Sequence, residues 1–108
     1  MKLDRNINRT GKGKYALINL RKIPGDPDTP QRLAASILEH PECVEFGSVG
    51  SPDEFWLIKL KDRYAGDALM CYANSVNRDP TGDKEYAREV MALANRSGTA
   101  HPLCKRPD

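Results

Sequence analysis

A chain of 108 residues, with 39% apolar and 30% charged residues, has the size and composition of one small globular domain. Its longest apolar stretches, residues 16–18 and 55–58, are far shorter than the roughly 20 residues of a membrane-spanning helix. Three cysteines with no CxxC pair argue against a disulfide framework. The polar residues 1–6 predict no secretory signal, so we expect a reducing, cytoplasmic setting and no membrane.

The net charge of +2 conceals an uneven distribution. Residues 1–23 carry seven Lys or Arg against one Asp, whereas residues 24–55 carry one Arg against seven Asp or Glu. A basic arm could bind a phosphate backbone. We favour the alternative, in which the two segments lie near each other and partly neutralise, because nucleic-acid-binding domains are usually clearly basic overall.

Three segments have the composition of β-strands, since each is short, apolar and bounded by Gly, Pro or Asp. They are residues 14–22, 43–46 and 54–61. The third is the strongest. Its alternation places Trp56, Ile58 and Leu60 on one face, which we expect to enter the core.

Three further segments predict helices. They are residues 29–40, 62–78 and 83–97. Thr29 caps the first and Pro30 suits its first turn, where no backbone N–H is needed. Asp62 is the predicted cap of the second helix, and Gly98 is the predicted left-handed cap of the third.

The last two helices should form an antiparallel hairpin, because their connection is short. Their apolar stripes include Tyr72 and Tyr86. The element order β-α-β-β-α-α predicts an α+β fold: a three-stranded, mostly antiparallel sheet with one crossover helix and a C-terminal helical hairpin. We expect this domain to span residues 14–98, between a basic flexible arm (residues 1–13) and an extended tail (residues 99–108).

Two tetrapeptides share the pattern His-Pro-x-Cys and contain both histidines of the chain. Their candidate metal ligands are His40, Cys43, His101 and Cys104. Two His and two Cys are a common ligand set for structural zinc. We favour separate structural roles, because zinc sites usually contain a CxxC knuckle and 57 residues lie between the halves.

Two basic clusters are candidate binding sites for a ligand or partner. Lys12 and Lys14 alternate with glycines, but the motif precedes a strand and so is not a P-loop. Ordering of the arm against the sheet is the favoured role for these two lysines. The second cluster stands where the third predicted strand leads into a helix, whose N-terminus favours an anion. It contains Lys59, Lys61, Arg63 and Tyr64. The alternative is a solvated sheet face, which we favour.

No catalytic motif is present: the sequence has no Ser-His-Asp order, nucleophile elbow, HExxH or Rossmann fingerprint. A Cys104 and His101 pair would lie on a mobile tail, which is a poor place for catalytic geometry. The aromatic pair typical of RNA-binding strands is also missing. We therefore expect a protein that is not an enzyme, and nucleic acid is not the favoured partner.

The segments GKGKYALINLRK, FWLIKLKDRYAGDALMCYA, EYAREVMALANRSG and HPLCKRPD resemble a family of small proteins encoded by tailed bacteriophages and prophages. The resemblance covers most of the chain except the acidic middle. It implies expression in a bacterial cytoplasm and supplies no activity and no catalytic residues.

These observations lead to three hypotheses of function. The first is a non-enzymatic phage accessory protein that binds a host or phage macromolecule, most simply a protein. The second is a small-molecule or nucleotide (anion) binding domain that uses the basic clusters. The third is a structural module held together by zinc, the one cofactor that the sequence suggests.

Overall fold

The structure, a computed structural model, describes residues 5–106. Residues 1–4 of the predicted arm and residues 107–108 of the predicted tail lie outside the described part. The chain divides into two compact units, Met1–Leu57 and Ile58–Asp108. Among the described residues, none of the helices has the length and apolar content that crossing a membrane requires.

The first unit contains a minimal sheet and one α-helix. Strand β1 (Leu17–Ile18) pairs antiparallel with strand β2 (Val44–Glu45), with Leu17 opposite Glu45. Short 3₁₀ turns follow β1 (Leu20–Lys22) and precede β2 (Pro41–Cys43). Among the described residues of this unit, the buried apolar side chains belong to Ile23 and Cys43.

Helix α1 (Pro30–Glu39) begins and ends where the sequence predicts. The Thr29 hydroxyl accepts a hydrogen bond from the Arg32 backbone N–H at 3.2 Å, which satisfies one of the free donors of the first turn. Pro30 occupies the first turn, and the His40 N–H donates to the Ser36 carbonyl at the other end. The prediction of this helix is confirmed.

The three-stranded sheet predicted from sequence is wrong: the described residues form a two-stranded antiparallel sheet. Residues 54–59 belong to neither a helix nor a strand. Local bonds at both ends of the segment explain this. The Glu54 N–H donates to the Ser51 carbonyl, and the Asp62 N–H donates to the Lys59 carbonyl. Trp56, expected in the core, is 60% exposed.

The other two predicted strands are much shorter than expected, again for local reasons. The Asn19 side chain accepts a hydrogen bond from the Arg21 N–H and starts a 3₁₀ turn where residues 14–22 should have continued as a strand. A side chain that binds nearby backbone in this way competes with sheet pairing. The Asn19 N–H still reaches the Cys43 carbonyl at 2.8 Å, just beyond the paired residues.

The second unit is built on two helices, α2 (Ala65–Arg78) and α3 (Lys84–Ala94). They run antiparallel: the start of α2 at Gly66 lies against the backbone of Ala94 and Ser97, at the end of α3. Their buried contact is made of small residues, which let two helices approach closely. These residues are Ala65, Ala73, Ala87, Val90 and Ala94.

The ends of both helices differ in detail from the sequence prediction. Asp62 is not the cap of α2. Its carboxylate accepts a hydrogen bond from the Tyr64 N–H at 2.8 Å, and the residue that caps the helix is Tyr64, so α2 begins at Ala65. Helix α3 ends at Ala94, not near Ser97. Gly98 has a φ of +62°, but it starts a separate 3₁₀ turn, Gly98–Ala100.

The described part of the predicted tail is hydrogen-bonded within the second unit. The Lys105 N–H donates to the Lys61 carbonyl at 2.9 Å, and the Lys105 carbonyl accepts from the Arg63 N–H at 2.8 Å. These bonds form a single parallel bridge between Asp62 and Lys105. The residues before α2 are therefore held by the end of the chain.

Candidate functional site

A pair of tyrosines on the helical hairpin is the best-defined candidate for a binding surface. Tyr72 of α2 and Tyr86 of α3 have hydroxyl oxygens 2.9 Å apart. Their rings meet edge to face, with centroids 6.1 Å apart and an interplanar angle of 84°. Tyr72 is 50% exposed and Tyr86 is 45% exposed. We call these two residues the tyrosine pair.

The hydrogen bond between the two hydroxyls determines the chemistry of the tyrosine pair. The bond to Tyr72 raises the pKa of the Tyr86 hydroxyl above its usual value, and partial burial acts in the same direction. The raised pKa keeps the Tyr86 phenol neutral at physiological pH. Tyr86 therefore presents aromatic surface and a hydroxyl group, not a reactive phenolate.

The sequence placed Tyr72 and Tyr86 in the apolar stripes of their helices but did not show that half of each side chain would be exposed. The alanines beside them are fully buried and form the helix contact. The tyrosines are too large for that close contact and lie at its edge. The signal that could have revealed this is the alanine that directly follows each tyrosine, Ala73 and Ala87, because only such small residues fit between closely packed helices.

Lys59, Lys61, Arg63 and Tyr64, the second predicted basic cluster, lie in the second unit just before α2. The backbone of this cluster is fixed by the tail through the Lys61 and Arg63 bonds to Lys105. The side chains of Arg63 and Tyr64 are exposed. Lys61, Arg63 and Tyr64 therefore lie on a fixed backbone immediately before the first turn of α2.

A cavity of about 250 Å³ lies beside this cluster, within the second unit. Arg63, Asp67 and Met70 line it from the α2 side, and Asn95 and Thr99 line it from the end of α3. The lining thus offers one cation, one carboxylate, neutral polar groups and a thioether. Such a mixture fits a small polar or zwitterionic molecule better than a highly charged anion.

Lys12 and Lys14, the other predicted cluster, lie in the first unit. The Lys12 ammonium is 4.6 Å from the centroid of the Phe46 ring, and the Lys14 ammonium is 5.5 Å from that of Tyr15. Both contacts are cation–π interactions. They hold the two lysines on aromatic surface of this unit.

The basic start of the chain meets the acidic segment inside the first unit. Arg5 forms an ion pair with Glu54 at 2.8 Å. The Gly11 carbonyl accepts from the Val49 N–H at 2.9 Å. This partial neutralisation is the arrangement that the charge pattern favoured.

The four predicted metal ligands lie in different units, His40 and Cys43 in the first, His101 and Cys104 in the second. Cys43 is fully buried, and the Nδ1 atom of His101 accepts from the Leu103 N–H at 3.0 Å. Among residues 5–106, no group of three or more His, Cys, Asp or Glu side chains is arranged to hold a metal ion. The zinc hypothesis stays a prediction.

Acid should loosen the contact between Arg5 and Glu54. The hydrogen bond from the Gly50 N–H and the Arg5 side chain together lower the pKa of the Glu54 carboxyl. A group whose pKa is lowered on folding stabilises the fold above its unfolded pKa, and this contribution disappears as the pH falls through the folded pKa. An NMR titration should therefore show Glu54 protonating below 4.5, with the Gly50 amide resonance changing at the same pH.

The matched control for this titration is Glu54→Gln, which keeps an acceptor for the Gly50 N–H but carries no titrating group. The acid-dependent change at Gly50 should be absent in this variant. A Glu54 that titrates at 4.5 or above in the unmodified protein contradicts the prediction.

A scan against protein-family models finds no matching family, and searches of curated proteins and of solved structures find no similar protein.

Proposed function

We propose that this protein is a non-enzymatic binding module that docks on a protein partner through the tyrosine pair. The observation that carries the proposal is the exposed, hydrogen-bonded contact of Tyr72 with Tyr86. The setting that we propose, a bacterial cytoplasm and a phage or prophage, depends on the sequence resemblance alone.

The tyrosine pair has the properties of an energetic centre in a protein interface. Tyrosine is enriched among the residues that dominate binding energy, because it offers a large apolar area with a polar end. A tyrosine side chain loses little conformational entropy on binding. Here the Tyr72–Tyr86 bond and edge-to-face packing already restrict both rings, which reduces that loss further.

The test begins with capture of a partner from a bacterial lysate on the immobilised protein, followed by affinity measurement with the purified partner. The double variant Tyr72→Ala, Tyr86→Ala should bind at least about 30-fold more weakly, which corresponds to hot-spot losses of about 2 kcal/mol. The double phenylalanine variant keeps both rings and loses only the hydroxyls, so it should bind with an intermediate affinity.

Leu103→Ala is the matched control, because Leu103 is a large exposed side chain of the same unit that lies outside the tyrosine pair. It should bind like the unmodified protein. Thermal unfolding of each variant establishes that the fold is retained. A partner whose affinity falls with Leu103→Ala but not with the double alanine variant contradicts the proposal, as does capture of no protein above a blank column.

A small-ligand function is the second candidate, and the cavity beside Arg63 favours it. In a thermal-shift screen of amino acids, nucleotides and inorganic phosphate, a ligand at 100 times its Kd should add about 2.7 kcal/mol of stability. Arg63→Ala should abolish that shift, and the double alanine variant of the tyrosine pair should not. Absence of any shift across the screen contradicts this candidate.

Zinc is the third candidate, and metal analysis of the purified protein decides it. A structural zinc predicts about one equivalent of bound metal that is lost on substitution of His101 or Cys104.

A further inference from the structure

The cavity between the start of α2 and the end of α3 carries two opposite charges that no described residue neutralises. Its volume is about 250 Å³, and its charged lining residues are Arg63 and Asp67. The ion pairs among the described residues include neither of them. Both charges are therefore available to a ligand. We call this space the α2–α3 cavity.

Direct contacts between its two walls hold the backbone of the α2–α3 cavity. The Gly98 N–H, beyond the end of α3, donates to the Leu60 carbonyl at 2.8 Å. Gly66, in the first turn of α2, packs so closely on the other wall that a Cβ atom there would stand 3.0 Å from the Ser97 carbonyl oxygen. A site that stands on a held backbone spends little binding energy on ordering the chain.

The two charges lie on the same wall of the α2–α3 cavity. Arg63 precedes α2 by two positions, and Asp67 lies in the first turn of the helix. A guanidinium binds a carboxylate through two parallel hydrogen bonds, and a carboxylate accepts hydrogen bonds from an ammonium group. The complementary ligand therefore carries a carboxylate and an ammonium group close together, which is the arrangement of an α-amino acid.

The size and the apolar lining of the α2–α3 cavity restrict the ligand further. Its volume is below the roughly 300–1,000 Å³ of sites that enclose drug-sized molecules, which favours a small ligand over a nucleotide. Met70 lines the α2 side, and Ala94 and Ala100 line the other side. A thioether adapts its shape to irregular apolar groups. This lining suits an apolar side chain on the amino acid.

We propose that the α2–α3 cavity binds a free α-amino acid with an apolar side chain. Arg63 binds the carboxylate, Asp67 binds the ammonium group and Met70 contacts the side chain. The inference rests on the second candidate function, small-ligand binding, and names the ligand class. It does not involve the tyrosine pair. A phosphate group at this site would instead place negative charge beside the Asp67 carboxylate.

An NMR titration of the isotopically labelled full chain tests the ligand class. The probes are L-alanine, L-valine, L-leucine and L-methionine. At least one should produce saturable shift changes in the amides of Asn95 and Thr99, which line the α3 side. The N-acetyl derivative of that amino acid lacks the ammonium group, and its carboxamide lacks the carboxylate. Each derivative should bind at least about tenfold more weakly, because each loses a charge-assisted hydrogen bond.

Two substitutions assign the two contacts. Arg63→Met keeps the apolar stem without the charge, and Asp67→Asn keeps the shape of the side chain. Each should weaken binding of the amino acid at least about tenfold. Arg63→Met should not weaken binding of the carboxamide further, and Asp67→Asn should not weaken binding of the N-acetyl derivative further. Arg88→Met and Glu89→Gln, at exposed positions of α3 outside the lining, are the matched controls and should bind normally.

Three results would overturn the inference: no saturable change with any of the four amino acids, derivatives that bind as tightly as the amino acid, or binding that neither substitution weakens. The derivatives test the contacts without altering the protein, so the second result holds even where a variant unfolds.

Failure of this inference can be told apart from failure of the proposed functions. A nucleotide or phosphate that binds the cavity while all four amino acids fail contradicts the inference and leaves the small-ligand candidate in place. Arg63→Met should keep the affinity for a captured protein partner. The double alanine variant of the tyrosine pair should keep the affinity for the amino acid.

Discussion

Replacing Gly98 with alanine should lower the free energy of unfolding by roughly 2–5 kcal/mol, because it combines a left-handed backbone with steric overlap. Gly98 has a φ of +62°. A Cβ atom there would stand 2.9 Å from both the Arg63 carbonyl oxygen and the Gly66 nitrogen. Both neighbours are backbone atoms and cannot rotate away. Denaturant unfolding of the variant measures the loss.

Gly25→Ala separates the two contributions. Gly25 has a φ of +82°, but a Cβ there would have nothing within 4 Å. This variant should lose only the cost of the left-handed conformation, about 1 kcal/mol. The difference between the two variants is the cost of crowding at Gly98. Equal losses would show that the chain around Gly98 can move aside, contrary to the prediction.

Features that depend on a few adjacent residues were predictable from the sequence. Helix α1 follows from Thr29 and Pro30, because a cap and a fixed φ act over one or two positions. Asp83 caps α3 for the same reason, accepting from the N–H groups of Glu85 and Tyr86.

The predicted third strand was wrong because pairing is not a local property. The segment of residues 55–58 has the composition of a strand, but a strand needs a neighbour, and the sequence does not specify which segment lies alongside. The turns at Ser51–Glu54 and Lys59–Asp62 hold both ends of this segment away from sheet pairing. The prediction of a strand at residues 54–61 is therefore wrong.

The candidate site was predictable only in part, for a related reason. The helical period places Tyr72 and Tyr86 toward the helix contact, but it does not specify how closely two helices approach. The small residues Ala73 and Ala87 set a close approach, which leaves the tyrosine rings at the edge. The charge pattern indicated that the arm would meet the acidic segment, yet the pairing of Arg5 with Glu54 depends on turns that have no sequence period.

Replacing Gly82 with alanine should also lower the free energy of unfolding, here for a steric reason alone. It lies in the connection between α2 and α3, where its N–H donates to the Asp79 carbonyl at 2.9 Å. A Cβ atom on residue 82 would overlap the Val76 carbonyl oxygen and stand 3.1 Å from the Asp79 carbonyl oxygen. The alanine variant must therefore move the end of α2 or the start of α3.

Such a movement also disturbs the next residue, Asp83, whose carboxylate caps α3. We expect Gly82→Ala to cost roughly 2–4 kcal/mol, from overpacking together with a weakened cap. Arg88→Ala, at an exposed position of α3, should change stability by no more than about 0.5 kcal/mol.

Because the connection sets the register of the hairpin, the Tyr72 and Tyr86 ring resonances should also shift in Gly82→Ala but not in Arg88→Ala. Unchanged ring resonances in a destabilised Gly82→Ala variant would show that the connection can deform without moving the helices. The stability of the hairpin would then be independent of the geometry of the tyrosine pair.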